Sequence, residues 1–256
     1  MLEMNALDGD VPHLSLVVPS YNGEHRLAAR LCELKTFLVA QPYYSELILV
    51  DDGSAEGAAN IMRQFAAANP SVTLIRNEPN RGKGASVARG MLAARGRYRV
   101  FTDADLAFPL TEVNKILRDL EQGADVAIAC RVLPESRYQM SPSFFHYLYT
   151  RHLMSRTFNR MVRTVLLRDV LDTQAGLKGF TAKAAGTVFP RVTIPGFGFD
   201  VEVLYVAQKN GLSVRQTAVD FRYDREPSTV RFAQAAMTMA GDLLQIKLRG
   251  WRGRYG

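Results

Sequence analysis

Glu46-Leu-Ile-Leu-Val-Asp-Asp-Gly-Ser54 sets the fold class. Its unbroken apolar run, with no polar alternation, describes a strand buried on both faces, as in a parallel sheet covered by helices. The run stops on two carboxylates and a glycine, a composition suited to a turn at a strand end. The same pattern repeats outward from there. Upstream, Leu14-Ser-Leu-Val-Val-Pro19 reads as a buried strand. A helix over 25–40 follows it, with Leu27, Leu31, Leu34 and Leu38 at helical spacing. Downstream, Ser54 is expected to cap a helix over about 55–69, and Val72-Thr-Leu-Ile75 forms a third strand. Asn80-Arg-Gly-Lys-Gly84 is a glycine-rich turn into a helix over about 84–95. Val100-Phe101-Thr102 is a fourth strand ending in Asp103-Ala-Asp105. A helix over about 111–121 and the strand Val126-Ala-Ile-Ala129 come next. Regular alternation with short connections predicts an α/β fold with a doubly wound, mostly parallel sheet. Such sheets bind ligands beyond the carboxyl ends of their strands. Tyr21, Asn22, Asp51, Asp52, Asp103, Asp105 and Arg131 are therefore expected to converge on one crevice.

Composition narrows the function classes. The chain has 256 residues, 47% of them hydrophobic, and a net charge of +7. That suits one compact domain with anionic partners: phosphates, nucleotides or lipid head groups. The two cysteines, Cys32 and Cys130, are far from any second Cys or Cys/His pair, which points to a reduced, cytoplasmic chain without a zinc site. The start, MLEMNALDGDVPH, is acidic and has no apolar core, unlike a signal peptide. No run of about 18 apolar residues is present, so membrane contact is expected to be peripheral. The four histidines fit neither a nucleophile pair nor a metal-ligand spacing, and no Gly-x-Ser-x-Gly elbow occurs.

The character changes after Arg131. From Ser136 to Arg168 there is no Asp or Glu. Within 144–168, Met154, Phe158, Met161, Val162 and Val165 fall on one helical face and Arg156, Arg160 and Arg163 on the opposite one. An ordinary surface helix would explain the pattern; the absence of acids favours an anionic membrane surface. Residues 197–211 read as a helix closed by Gly211, and 229–249 as a final helix. A basic, aromatic tail follows, with Arg249, Trp251, Arg252, Arg254 and Tyr255. The expected organisation is a domain over 12–228, with amphipathic helices at about 143–168, and a C-terminal helix and tail over 229–256.

Asp103 and Asp105, one residue apart at a strand end, can hold a hard divalent cation; Mg²⁺ or Mn²⁺ would share its shell with a substrate phosphate. Alone, the spacing also fits a solvated turn. Of the Asp51-Asp52 pair, Asp51 is expected to face ligand while Asp52 takes a local role. Arg81-Gly82-Lys83-Gly84 could lay amides and a cation near phosphates, or be a plain tight turn. It is neither a P-loop nor a dinucleotide fingerprint.

On these residues the chain resembles the inverting family 2 glycosyltransferases of the GT-A fold. The likeness runs over about 14–249. VVPSYNGE (17–24), VDDGS (50–54), NRGKG (80–84) and DAD (103–105) resemble the nucleotide-sugar half. LDTQAGLKGFT (171–181), FDVEVLYVAQ (199–208) and GDLLQIKLR (241–249) are similar to the dolichyl-phosphate β-glucosyltransferase branch, with the mannosyltransferase branch as its nearest relative. The resemblance implies that Pro19, Tyr21, Glu24 and Asp51 line the nucleotide pocket, with Asp52 and Lys83 beside them. Asp103 would contact sugar or metal, and Asp105 would be the main metal ligand. Arg131, Arg151 and Ser155 would hold the acceptor phosphate, and Gln174 lies in the glucosyl-type stretch. Two departures stand out. Ala107 occupies a position where mannosyltransferase relatives often carry a metal-binding Gln. Ser228-Thr229 replaces a Ser-Lys pair, leaving Arg222 or Arg225 to meet the diphosphate.

The implied reaction is a single in-line displacement from a nucleotide sugar, with UDP-glucose favoured over GDP-mannose, onto a polyprenyl phosphate at the cytosolic face of a membrane. A phosphate monoester has its second pKa near about 6, so it needs no general base. An acceptor hydroxyl on a glycan would need one, and Asp200 or Glu202 could supply it. A nucleic-acid partner is not expected, because strand-end carboxylates repel phosphates unless a metal intervenes.

Overall fold

The computed structural model describes residues 11–139, 159–160, 162–196, 198–222 and 232–256. Strands β1 (Leu14–Ser20), β2 (Ser45–Asp51), β3 (Val72–Arg76), β4 (Tyr98–Thr102), β5 (Val126–Cys130), β7 (Leu177–Thr181) and β8 (Val214–Ala218) form one sheet in the order β3-β2-β1-β4-β7-β5-β8. All run parallel except β7, which is antiparallel to both neighbours, with Tyr98 opposite Thr181 and Val126 opposite Phe180. A small parallel pair, β6 (Arg137–Gln139) and β9 (Asp220–Arg222), lies apart from it.

Alternate residues of each strand feed two apolar layers. Leu14, Leu16, Leu47 and Leu49 pack with α1 (Glu24–Val39), α2 (Glu56–Ala67) and α4 (Thr111–Glu121). Val17, Ile48, Val50, Phe101 and Ile128 pack on the other face with α3 (Lys83–Ala93), α5 (Ala182–Val188), α6 (Phe199–Lys209) and α7 (Phe232–Trp251). Both faces are therefore buried, which is why the strand sequences lack alternation. The doubly wound, mostly parallel sheet read from the sequence is the observed architecture. Helix α1 turns Leu27, Leu31, Leu34 and Leu38 inward, as their spacing predicts. The helix expected over 197–211 runs Phe199–Lys209, with Gly211 beyond its end at φ +68°.

Two local expectations change. Ser54 does not cap α2: Ala55 is the N-cap residue, and the Ser54 hydroxyl accepts from the Asn22 amide at 2.9 Å. Most of 144–168 lies outside the described residues. Within the part described, 162–165 is helical and Val162 is buried in the core. Val165, assigned to the same apolar face, is 39% exposed, and the arginines Arg160 and Arg163 are exposed too. The division at 228/229 also falls outside the described residues. The C-terminal helix contributes Leu243 and Ile246 to the main core.

Candidate active site

The carboxyl ends of β2, β4 and β5 open on the same edge of the sheet. They set Asp51, Asp103 and Arg131 along one rim, each separated from the next by one intervening strand, or about 10 Å. Because β7 runs backwards, its leading loop, Asp172–Gly176, also reaches that rim. The Asp103 amide donates to Gly176 O at 3.1 Å.

Asp103 sits at the head of a line of alternating charges. Lys83 Nζ lies 2.6 Å from Asp103 Oδ1 and 3.8 Å from Asp200 Oδ2. The other Asp200 oxygen accepts from Lys178 Nζ, which also donates to Ala175 O at 2.6 Å. Lys178 is fully buried and Asp200 is 3% exposed. Burial lowers the pKa of Lys178, against the pull of Asp200. For Lys83 burial acts the same way, but Asp103 and Asp200 outweigh it and raise its pKa, so its ammonium stays charged. Burial raises the pKa of Asp103, opposed by Lys83 and reinforced by Asp105. Asp105 is exposed, and its Oδ1 accepts a 3.1 Å bond from the Ala107 amide in the same turn.

Among the described residues no cluster of three His, Cys, Asp or Glu side chains could enclose a metal. Asp103 and Asp105 nevertheless fit a cation of another kind. One carboxylate is open to solvent and the other lies over Gly176, where even a methyl carbon would fall 2.5 Å from Asp103 Cγ. Two protein carboxylates suit a hard ion that completes its shell with water and substrate phosphate.

The glycine-rich turn is built for packing. Both Asp52 oxygens are engaged: Oδ1 accepts from the Arg81 amide (2.9 Å) and Asn77 Nδ2 (2.8 Å), and Oδ2 from the Gly82 amide (2.8 Å). The Gly84 amide donates to Pro195 O at 2.7 Å. Gly82 has φ +90°, and a Cβ there would lie 2.5 Å from Pro195 O. The Arg81, Gly82 and Gly84 amides are thus committed within the protein, as in the tight-turn reading, and the turn leaves Lys83 as its cation near the rim. Asp52, expected beside the nucleotide pocket or in a local role, spends both oxygens on this turn. Asp51, expected to face ligand, is 1% exposed and accepts from the Ser54 amide (2.9 Å) and Arg76 Nη1 (2.7 Å). A ligand contact through Asp51 requires Arg76 to move.

Of the remaining expected residues, Tyr21 is exposed at the end of β1, beside half-buried Pro19, and exposed Glu24 extends over Gly57. Arg131 makes a forked ion pair with Asp172, Nε to Oδ2 at 2.7 Å and Nη2 to Oδ1 at 2.9 Å, above the Phe221 ring. Asp172 is buried, yet Arg131 outweighs that burial and lowers its pKa. Gln174 is half-buried in the same loop. The Arg222 amide donates to Ala107 O at 2.8 Å, which brings β9 alongside the Asp103–Asp105 turn. Arg151, Ser155 and Arg225 lie outside the described residues. Glu202 has its oxygens taken up inside the protein. It is fully buried and accepts from the Thr193 and Ile194 amides, Thr193 Oγ1 and Tyr255 Oη, which leaves it unsuited to proton transfer.

Sequence reasoning did not single out Lys178, Asp172 or Gly176. The usable signal was a lone lysine inside the apolar strand Leu177-Lys-Gly-Phe-Thr181. A buried lysine must find a carboxylate, and Asp200 is that partner.

Comparison with known proteins supplies the context. The profile of Glycosyl transferase family 2 matches residues 15–185, more than half of the chain. The dolichyl-phosphate beta-glucosyltransferase of Homo sapiens is 32% identical over 260 residues, covering 97% of this chain and 79% of its own. That of Dictyostelium discoideum is 31% identical over 247 residues, covering 93% of this chain and 74% of its own. Among solved structures, glucosyl-3-phosphoglycerate synthase from Mycobacterium tuberculosis with UDP aligns over 92% of this chain and 80% of that one. Its TM-score is 0.67 at 18% identity, which establishes a common fold. The same enzyme with Mn²⁺, UDP-glucose and phosphoglyceric acid aligns with a TM-score of 0.67 at 16% identity.

Proposed function

The chain belongs to glycosyl transferase family 2, and from that premise we propose that it transfers glucose from UDP-glucose to a polyprenyl phosphate of the dolichyl type, at a membrane surface, with inversion. The observation that carries this reading is the extent of the match to the dolichyl-phosphate beta-glucosyltransferases. It covers 97% of the chain in the human case and so extends beyond the 15–185 region of the family match.

The rim chemistry supports it. A polyprenyl phosphate arrives already ionised, so the protein must orient and compensate two anions, with no proton to remove. Asp200, held between Lys83 and Lys178, suits an electrostatic brace better than the general base that a hydroxyl acceptor would demand. Mg²⁺ or Mn²⁺ at Asp103 and Asp105 would neutralise charge developing on the departing diphosphate. Lys83, 2.6 Å from Asp103, is within reach to exchange that carboxylate for a diphosphate oxygen. Arg131, oriented by Asp172, would bring its positive charge to the acceptor phosphate. In-line geometry then puts the new bond on the face opposite the leaving group.

The test incubates the purified protein with a short polyprenyl phosphate and a panel of UDP- and GDP-sugars, with Mg²⁺ or Mn²⁺, and weighs the lipid product. A hexosyl-phosphate lipid formed from UDP-glucose is expected. Product only from GDP-mannose would reassign the donor. Transfer only to a hydroxyl acceptor would overturn the reading.

A further inference from the structure

Helix α7 presents two opposed faces. Leu243 and Ile246 are buried in the core, and Gly250 lies against the Tyr205 ring of α6. The end of the helix is pinned as well. Arg249 lies 3.7 Å from Glu202 Oε1, and the Tyr255 hydroxyl donates to that oxygen at 2.6 Å. The opposite face is therefore held in a fixed orientation. It carries Leu244 (61% exposed), Leu248 (42%) and Trp251 (90%), spaced four and three residues apart, so they form one stripe. Lys247 and Arg252, both exposed, flank the stripe, and Arg254 follows. A concavity of about 330 Å³ runs along this face, lined by Leu244, Gln245, Leu248, Arg249, Arg252 and Arg254. No acidic residue follows Asp242 in the chain.

Exposure of three large apolar side chains in one row needs a partner. Charge selects which one. A second copy docked face to face would oppose arginine to arginine with no acid between them, since a symmetric contact pairs a patch with itself. An anionic bilayer supplies both complements: phosphates for the cations and an acyl boundary for leucine and tryptophan. We propose that the outer face of α7 docks on an anionic lipid bilayer, with Leu244, Leu248 and Trp251 entering the acyl boundary and Lys247, Arg252 and Arg254 meeting lipid phosphates. This is a different stretch of sequence from the basic segment over 144–168. Helix α7 packs on α6, which carries Asp200, so the docked surface is mechanically joined to the charged rim. The inference deepens the lipid-acceptor reading, and its test needs no acceptor.

Trp251 is the sole tryptophan of the chain and so reports on this face alone. The 256-residue chain is titrated with vesicles of phosphatidylcholine, alone or mixed with phosphatidylglycerol, while emission and co-sedimentation are followed. Binding to the anionic vesicles is expected, with a blue shift and quenching by brominated acyl chains, reversed by salt. Leu244→Ser and Leu248→Ser should each weaken binding by about tenfold or more. Arg252→Gln and Arg254→Gln should each weaken it by about fivefold. All four side chains are exposed, so folding is expected to persist, checked by unchanged thermal unfolding. Binding with an unshifted Trp251, or a serine double variant that binds like the parent, would overturn the proposal. So would a lipid-free, concentration-dependent blue shift with dimerisation, which would assign the face to a second copy. A protein that glucosylates a soluble short-chain polyprenyl phosphate but ignores vesicles would sink this inference and leave the proposed reaction standing.

Discussion

Replacing Gly176 with alanine would push one methyl group into the Asp103 carboxyl. The new carbon would overlap Asp103 Oδ2 and lie 2.5 Å from Cγ, whereas ordinary contact begins near 3.4 Å, so the carboxyl must withdraw by more than about 1 Å. It cannot do so without disturbing its 2.6 Å pair with Lys83. The displaced atoms are the end of a side chain, so the stability loss should sit at the low end of overpacking costs, about 1 kcal/mol. Catalysis is far more sensitive to position. A misplacement of about 1 Å costs on the order of 10²-fold in rate, equivalent to about 2.7 kcal/mol of barrier. Steady-state transfer to a polyprenyl phosphate and urea unfolding, measured on the same preparation, separate the two effects. Gly186→Ala is the control: it lies in α5 with nothing within 4 Å of the added carbon, and should gain up to about 1 kcal/mol without change in kcat. A folded Gly176→Ala protein with parental kcat would refute the reasoning, because the position of Asp103 would then not matter to transfer.

Asp105→Ala should abolish turnover yet leave the unfolding midpoint unchanged, since the side chain is exposed; UDP binding tightened by Mn²⁺ in this variant as in the parent would contradict its role. Lys178→Met strips Asp200 of a buried partner and should cost about 3–5 kcal/mol in urea unfolding. Pairing it with Asp200→Asn should recover a good part of that loss, and strictly additive losses would show the two residues uncoupled. Asp172 has a folded-state pKa below its unfolded value of about 3.9. Its pairing with Arg131 therefore contributes fully above pH about 4, and that stability is lost as pH falls from there through the depressed folded pKa. Asp172→Asn should flatten this acid limb, and an unchanged slope in acid titrations of stability would argue against the pair.

The first five strands and four helices were legible because their signals are local: leucines at helical spacing in α1, unbroken apolar runs in β1 and β2, carboxylates where strands stop. Strand β7 was not, because its place between β4 and β5 depends on partners far away in the chain. Glycine meaning was also ambiguous from sequence. Gly82 and Gly84 read equally as a phosphate cradle or a tight turn, and their packing against Ile194 and Pro195 decides for the latter. Asp103, Asp105 and Arg131 were found by position at strand ends, which topology preserves. Asp200 was noticed as a carboxylate but assigned no counter-ion, since its bond to Lys178 spans 22 residues and two different elements.

The reversed strand has a consequence for how the chain is made. On a ribosome delivering residues in order, β3, β2, β1 and β4 can pair as soon as they emerge, but β5 has no neighbour until residues 177–181 follow. Until then β4 carries an open, hydrogen-bond-hungry border on its outer side. Fragments ending between β5 and β7 should accordingly precipitate or recruit chaperones; extension past residue 181 closes the border of β4, and extension past residue 218 then covers the outer side of β5. The piece that closes the border of β4 is thus five residues long, and it is the same piece that brings Lys178 to Asp200.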